Sequence, residues 1–162
     1  MPDQPPIADP TRRAAAPGTG HAPETGFAPL IPELAVTSLA ESLAFWCGPL
    51  GFTVAYDRPA ARFAFLVREG LQVMLCERNG RWETGAMERP FGRGINLQMM
   101  VGRLGPILAG LAAARWPLRE EPAEAWYRAG DHLRGQREAL VEAPDGYLLR
   151  FAEDLGTRPA EA

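Results

Sequence analysis

The sequence contains no lysine: all 17 of its basic residues are arginine. With the abundant alanine, glycine and proline, this reads as codon bias and carries no functional weight. The arginines form no stripe or block, and the net charge is −3, which argues against a nucleic-acid partner. No apolar run approaches the roughly 20 residues that a membrane span requires. Arg12 and Arg13 have no apolar segment behind them, so no secretory signal is read there. Together these absences lead to an expected cytoplasmic location. Cysteine is scarce as well. Cys47 and Cys76 sit in apolar settings (FWCGPL and VMLCER), with no CxxC and no dense, even framework. They are expected to be free, buried thiols in a reducing compartment.

What is present suits one globular domain, or two small halves sharing a core: 162 residues, 46% hydrophobic and 23% charged. Residues 1–26 are rich in proline and hold Ile7 as the only large aliphatic side chain after Met1. Such a segment buries too little apolar area to offset its ordering entropy, so a disordered tail is expected there. His21 falls in it and is left out of any site. A second short tail is expected over 157–162.

The folded part is expected over 27–156. LIPELAV (30–36) reads as a strand. Ser38 and Glu41 fit a capping box that opens a helix running to about Gly48. Leu39, Leu43 and Trp46, with Phe45, give that helix its inner face. Strands follow at 52–57, 62–68 and 71–76, with Glu69-Gly70 as a tight turn. A linker, 78–93, leads to a strand at 95–101 and a helix at 104–116 with Pro106 in its first turn. Further strands are predicted at 125–129, 135–143 and 147–153. Pro144, Asp145 and Gly146 supply the turn before the last of these. The order strand, helix, three strands thus occurs twice, about 28–77 and about 94–154. A constant shift lays Val36 on Val101, Leu39 on Leu104, Leu43 on Leu108 and Ala44 on Ala109. The expected fold is α+β: two paired βαβββ modules forming a curved mixed sheet around a cleft.

The segments PELAVTSLAESLAFWCGPLGF (32–52), GRGINLQMMV (92–101), WYRAG (126–130) and EAPDGYLLRF (142–151) resemble the vicinal oxygen chelate superfamily. Within it they are most similar to bleomycin-resistance and glyoxalase-like proteins. The resemblance covers about 28–156. Ser38 stands where an Asp cap is expected, and Ala143 replaces the Asp that opens the usual DPDG. Metal-using members take ligands at four strand positions, typically His or Gln and Glu in each half. The resemblance places Ile31, Met74, Asn96 and Arg150 there. Ile31 has no donor, a thioether suits hard or borderline ions poorly, and a guanidinium repels a cation. His132 is the one histidine of the expected folded part. The resemblance therefore implies no metal, no cofactor and no metal-dependent activity for this chain.

Arg150 accordingly takes the place of a metal-binding carboxylate and is expected to point into the cleft. Strand alternation puts Glu33 and Ala35, Gln72, Met74 and Cys76 on the same face. Asn96, Gln98 and Met100 join them, as do Leu148 and Arg150. The opposite parity collects a core set: Leu34, Val36, Leu97, Met99, Val101, Tyr147, Leu149 and Phe151. Glu33 with Arg150 as an internal salt bridge and the five polar residues as a floor for a ligand are both open readings. Trp82 and Phe91 in the linker, and Trp126 beside Tyr127, are candidates for stacking on flat or cationic ligands. Trp46 and Trp116 are expected in the core or an interface. Glu120, Glu121 and Glu124 read as a solvated connection.

The expected ligand-binding residues are Glu33, Gln72, Trp82 and Phe91 with Asn96, Gln98, Trp126 and Arg150, and none is expected to be catalytic. The resemblance implies a metal-free homodimer that sequesters a bleomycin-type glycopeptide antibiotic or a similar flat, cationic compound. The alternative is a metal-independent lyase or isomerase using Glu33 or His132 as a base; a cleft without any ligand is the third reading.

Overall fold

The computed structural model describes residues 18–160. The first module comprises β1 (Glu33–Val36), α1 (Leu39–Cys47), β2 (Thr53–Arg58), β3 (Phe63–Arg68) and β4 (Leu71–Glu77). The second comprises β5 (Asn96–Val101), α2 (Gly105–Ala113), β6 (Leu118–Ala129), β7 (His132–Glu142) and β8 (Leu148–Pro159). Each module is a four-stranded sheet, in the orders β1-β4-β3-β2 and β5-β8-β7-β6. In each, the first strand pairs parallel with the last and the remaining pairs are antiparallel. The fold is α+β, with two open sheets and two helices.

Local chemistry sets the element ends. Ser38 adopts φ −138° and its hydroxyl accepts from the Glu41 N–H at 3.3 Å, which starts α1. Pro106 lies in the first turn of α2, where its missing N–H costs no helix bond. Glu69 and Gly70 take φ +47° and +82°, the backbone a two-residue hairpin turn needs. The acidic stretch at Glu120, Glu121 and Glu124 belongs to β6, which starts at Leu118; it is exposed strand rather than a connection. β8 likewise runs on to Pro159, through the first residues of the expected C-terminal tail.

The core draws residues from both sheets and both helices. Leu34, Val36, Leu75, Met99, Leu149 and Phe151 are at most 5% exposed and belong to one cluster with Phe45, Trp46, Leu104 and Leu111. This is the parity expected from the sequence. Phe45 of α1 packs on Trp116, which follows α2, with ring centroids 4.6 Å apart. Gly110 of α2 lies against the chain leaving α1: an added Cβ would sit 2.2 Å from the Pro49 carbonyl oxygen. Since backbone cannot yield like a flexible side chain, Gly110→Ala is expected to cost about 1–3 kcal/mol, read as a lower denaturant midpoint with an unchanged slope.

The sequence repeat corresponds to repeated capping. At the start of α1, the Leu39 N–H donates to Glu77 (3.2 Å); at the start of α2, the Leu104 N–H donates to Glu153 (2.7 Å). Two further carboxylates cross between modules. Asp145, in the β7–β8 turn, accepts from Thr37 after β1, with Thr37 N–H at 3.0 Å and the Thr37 hydroxyl closer still. Glu69, in the β3–β4 turn, accepts from the Gly102 N–H after β5 at 2.8 Å. Each hairpin turn thus braces the strand–helix junction of the other module.

That backbone bond, more than the neighbouring Arg68, holds the Glu69 carboxyl below its ordinary range. A depressed folded value contributes stability above the ordinary Glu pKa of about 4.3, and the contribution is lost as pH falls through the lower folded value. Native protein is therefore expected to lose denaturant resistance more steeply than Glu69→Gln when pH falls below about 4.5. Parallel acid limbs would contradict the brace.

Residues 1–17 of the expected tail lie outside the described residues. Residues 18–28 run along the first module. Gly20 bridges Tyr56, and the Thr19 N–H and hydroxyl donate to Asp57 at 3.0 and 2.7 Å. The His21 N–H donates to the Ala55 carbonyl at 3.0 Å. Phe27 then packs edge-on against Phe65, which stacks on Tyr56 at 4.9 Å.

Candidate functional site

A cleft of about 730 Å³ opens beside β1 and the end of β4, under the linker. Glu33 and Ala35 enter it from β1, and Cys76, Glu77 and Arg78 from β4 and the residue after it. Trp82, Glu83 and Met87 descend from the linker; Ile95, Tyr147 and Leu148 close the far side from the second module. Alternation along β1 is what aims Glu33 outward while Leu34 and Val36 anchor the strand in the core.

The charged lining of the cleft is Glu33, Glu77 and Glu83 against Arg78 alone. Arg78 is committed to Glu83 through two bonds, Nε–Oε1 at 3.1 Å and Nη2–Oε2 at 2.8 Å; this holds the Glu83 carboxyl below its ordinary range. Glu77 pairs with Arg62 at 2.8 Å. Glu33 has no guanidinium within ion-pair distance among the described residues. Burial first, and then the Glu33 charge, push the Cys76 thiol up, away from the thiolate form that reacts as a nucleophile. Burial likewise pushes up Tyr147, whose hydroxyl donates to the Ala35 carbonyl at 3.0 Å and ties the two modules at the cleft edge. Trp82 is 62% exposed at the mouth, with the Arg81 guanidinium 4.7 Å from its ring.

The other expected site residues divide. Gln98 and Arg150 do lie on one face, opposite each other on β5 and β8, but on the open face of the second sheet, and neither lines the Glu33 cleft. No Glu33–Arg150 ion pair forms: Arg150 donates to the Gln98 carbonyl oxygen and faces Glu138 at 3.8 Å. Asn96, at the start of β5, is exposed and borders a shallower hollow of about 360 Å³. Gln72 is buried and serves the scaffold. Its amide accepts from the Ala28 N–H and donates to the Gly26 carbonyl, both at 2.7 Å, clamping the segment that precedes β1. Phe91 is 4% exposed and packs edge-on to Tyr147, so it is a wedge under the linker and not a rim aromatic. Trp126 packs across Gly135 and carries the Arg158 guanidinium 4.0 Å over its ring. His132 is exposed at the start of β7, away from the cleft.

Sequence reasoning missed Glu138 and Gln136, which share the face of Arg150; Tyr127, named beside Trp126 as a stacking candidate, instead donates its hydroxyl to Glu138. The signal was available in GQREALVEA, where Gln136 and Glu138 alternate with Ala139 and Val141 of the core.

The donor set does not fit a divalent ion. Register pairs Glu33 with Met74 and Gln98 with Arg150, and Ile31 precedes β1 altogether. A fixed guanidinium and a thioether hold two of those four places, which excludes a hard or borderline cation there. Among the described residues, no three His, Cys, Asp or Glu side chains gather as a ligand group.

Paired βαβββ modules with an open cleft define the architecture of the vicinal oxygen chelate type. The family model described as Glyoxalase/Bleomycin resistance protein/Dioxygenase superfamily matches residues 28–151, and the chain belongs to that superfamily. A superfamily member from Vibrio splendidus 12B01 is 30% identical, over 76% of this chain and 95% of that one, at a TM-score of 0.36. TioX from Micromonospora sp. ML1 is 20% identical with a TM-score of 0.62, over 80% of this chain and all of its own (100%). Lactoylglutathione lyase from Agrobacterium tumefaciens is 14% identical with a TM-score of 0.52, over 78% and 92% of the two chains. The latter two show the shared fold. No curated protein sequence matches the chain. No helix among the described residues is long and apolar enough to cross a membrane.

Proposed function

We propose that this chain is a metal-free binder of a flat, cationic small molecule, which it sequesters without chemistry in the cleft beneath the linker. The sequence resemblance puts bleomycin-type glycopeptides first among the ligands to test. The observation that carries the reading is Glu33: of the three lining carboxylates Glu83 is paired with Arg78 and Glu77 with Arg62, and Glu33 is left without a guanidinium partner among the described residues. An acid in a largely apolar hollow favours a cation that brings its own apolar surface. Trp82 at the mouth adds a face for stacking or cation–π contact, whose strength grows as the pair is desolvated.

A homodimer belongs to the proposal. Val54, Ile95 and Met100 are large apolar side chains left 41% exposed or more, and sedimentation velocity reads the mass directly. Calorimetric titration with metal-free bleomycin tests the binding itself, with micromolar or tighter affinity expected at one ligand per chain. Trp82→Ala removes the stacking face, worth about 1–2 kcal/mol once desolvated, and is expected to weaken binding about five- to thirtyfold. Unchanged affinity in that variant, or no heat with native protein, would remove the proposal.

A further inference from the structure

We propose that the hollow between residues 18–27 and the edge of β2 binds an organic carboxylate with a flat apolar body, and that Arg58 receives the carboxylate. The hollow, of about 410 Å³, shares no lining residue with the Glu33 cleft. Gly18, Thr19, Gly20, Ala22 and Phe27 form one of its walls, and all five precede the residues that the superfamily model matches. That wall is an addition of this chain to the shared fold.

The wall is held in place by close fit. Thr19 accepts from the Asp57 N–H and His21 donates to the Ala55 carbonyl, both at 3.0 Å. A Cβ added at Gly18 would sit 2.1 Å from the Asp57 carbonyl oxygen, and one at Gly20 would sit 2.2 Å from that of Ala55. Gly20 also takes φ +84°. The segment lies this close to β2 because both positions are glycine.

Facing the wall is a guanidinium without a counter-charge. Arg58 makes no ion pair among the described residues. Its central carbon lies 3.7 Å over the Phe63 ring. That contact uses the face of the guanidinium and leaves its in-plane N–H groups unspent. Its Nε is buried and has no hydrogen-bond partner. An open buried donor weakens the fold, so stability does not account for it; what the group lacks is an acceptor. A carboxylate matches the guanidinium fork and supplies the missing charge.

Asp57, the one carboxylate of the lining, does not fill that role. Its Oδ1 takes both Thr19 bonds, and alternation along β2 turns it to the face opposite Arg58. Tyr56 shares the face of Arg58. Burial pushes its hydroxyl above the ordinary value against the pull of the Arg58 charge, so it keeps its proton and is a second donor. The Phe27 and Tyr56 rings, both packed on Phe65, give the hollow aromatic surface for a flat body.

The test follows the Arg58 Nε–H and the backbone amides of Thr19, His21 and Asp57 in the 15N-labelled full chain. Sodium benzoate is titrated in, and separately benzamide, its neutral counterpart, at matched ionic strength. Benzoate is expected to move these signals saturably, at one per chain, and benzamide to leave them in place. Arg58→Gln, read on the backbone amides, is expected to weaken benzoate about tenfold or more, as the loss of a charge-assisted bond requires. Gly20→Ala keeps Arg58 but forces the wall off β2, and is expected to weaken benzoate as well. Benzamide binding as tightly as benzoate, benzoate shifts that never saturate, or an affinity that neither variant alters would overturn the proposal. The native comparison decides even where a variant fails to fold, and its outcome is independent of bleomycin capture at the Trp82 cleft.

Discussion

Asp145→Ala is expected to lower stability by about 3 kcal/mol. The carboxylate is 2% exposed and accepts from the Thr37 N–H, the Thr37 hydroxyl and Arg89 at 2.9 Å. The two Thr37 bonds dominate. Bonds to a buried charge are worth about 1.5–3 kcal/mol each, and deletion leaves a backbone N–H without its acceptor. Arg89 is 53% exposed, so its ion pair is screened by water and adds at most about 1 kcal/mol. For a chain this size the thermal midpoint is expected to fall by about 6–12 °C. Arg89→Ala is expected to move it by less than about 4 °C. Equal losses in the two variants would mean that the ion pair, and not the bond between modules, holds the turn.

The second large effect is on binding. Glu33→Arg is expected to abolish capture of metal-free bleomycin. A charge pair at about 4 Å, in an effective dielectric of about 20, is worth about 4 kcal/mol; reversing its sign turns that attraction into repulsion. Binding should fall by more than a hundredfold, below calorimetric detection. Glu33→Gln, which only removes the charge, is expected to lie between. Glu33 is exposed and makes no ion pair among the described residues, so stability should stay within about 0.5 kcal/mol of native. An affinity unaltered by charge reversal would mean that the ligand sits elsewhere.

Much of the scaffold was legible because it rests on local rules. Period-two alternation separated Val36, Met99, Leu149 and Phe151 from the outward residues, and their burial agrees. The Ser38 cap, the Glu69-Gly70 turn and Pro106 each act within a few residues, and each stands where expected. The capping repeat also lay in the sequence: Leu39 and Leu104 matched, and both donate to a carboxylate from the last strand of their own module.

The candidate site was legible in part. Alternation tells which face a residue takes, but not what lies over that face. Gln72 faced outward as expected, yet residues 26–28 cover it and use both ends of its amide. Nor does parity give partners. Arg150 found Glu138 on the neighbouring strand, a pairing set by the β7–β8 register that no single-strand pattern contains. Phe91 looked like a rim aromatic because linkers usually lie on the surface, but a linker that crosses two modules drives one ring between them.

The central claim is that the cleft recognises its ligand by charge and stacking, with no ion involved. Calorimetry with metal-free bleomycin, run on chain exhaustively treated with chelator that is then removed and again on untreated chain, tests it most directly. The account predicts the same micromolar affinity and one-to-one stoichiometry in both runs. Binding that is lost from the chelator-treated chain would contradict it.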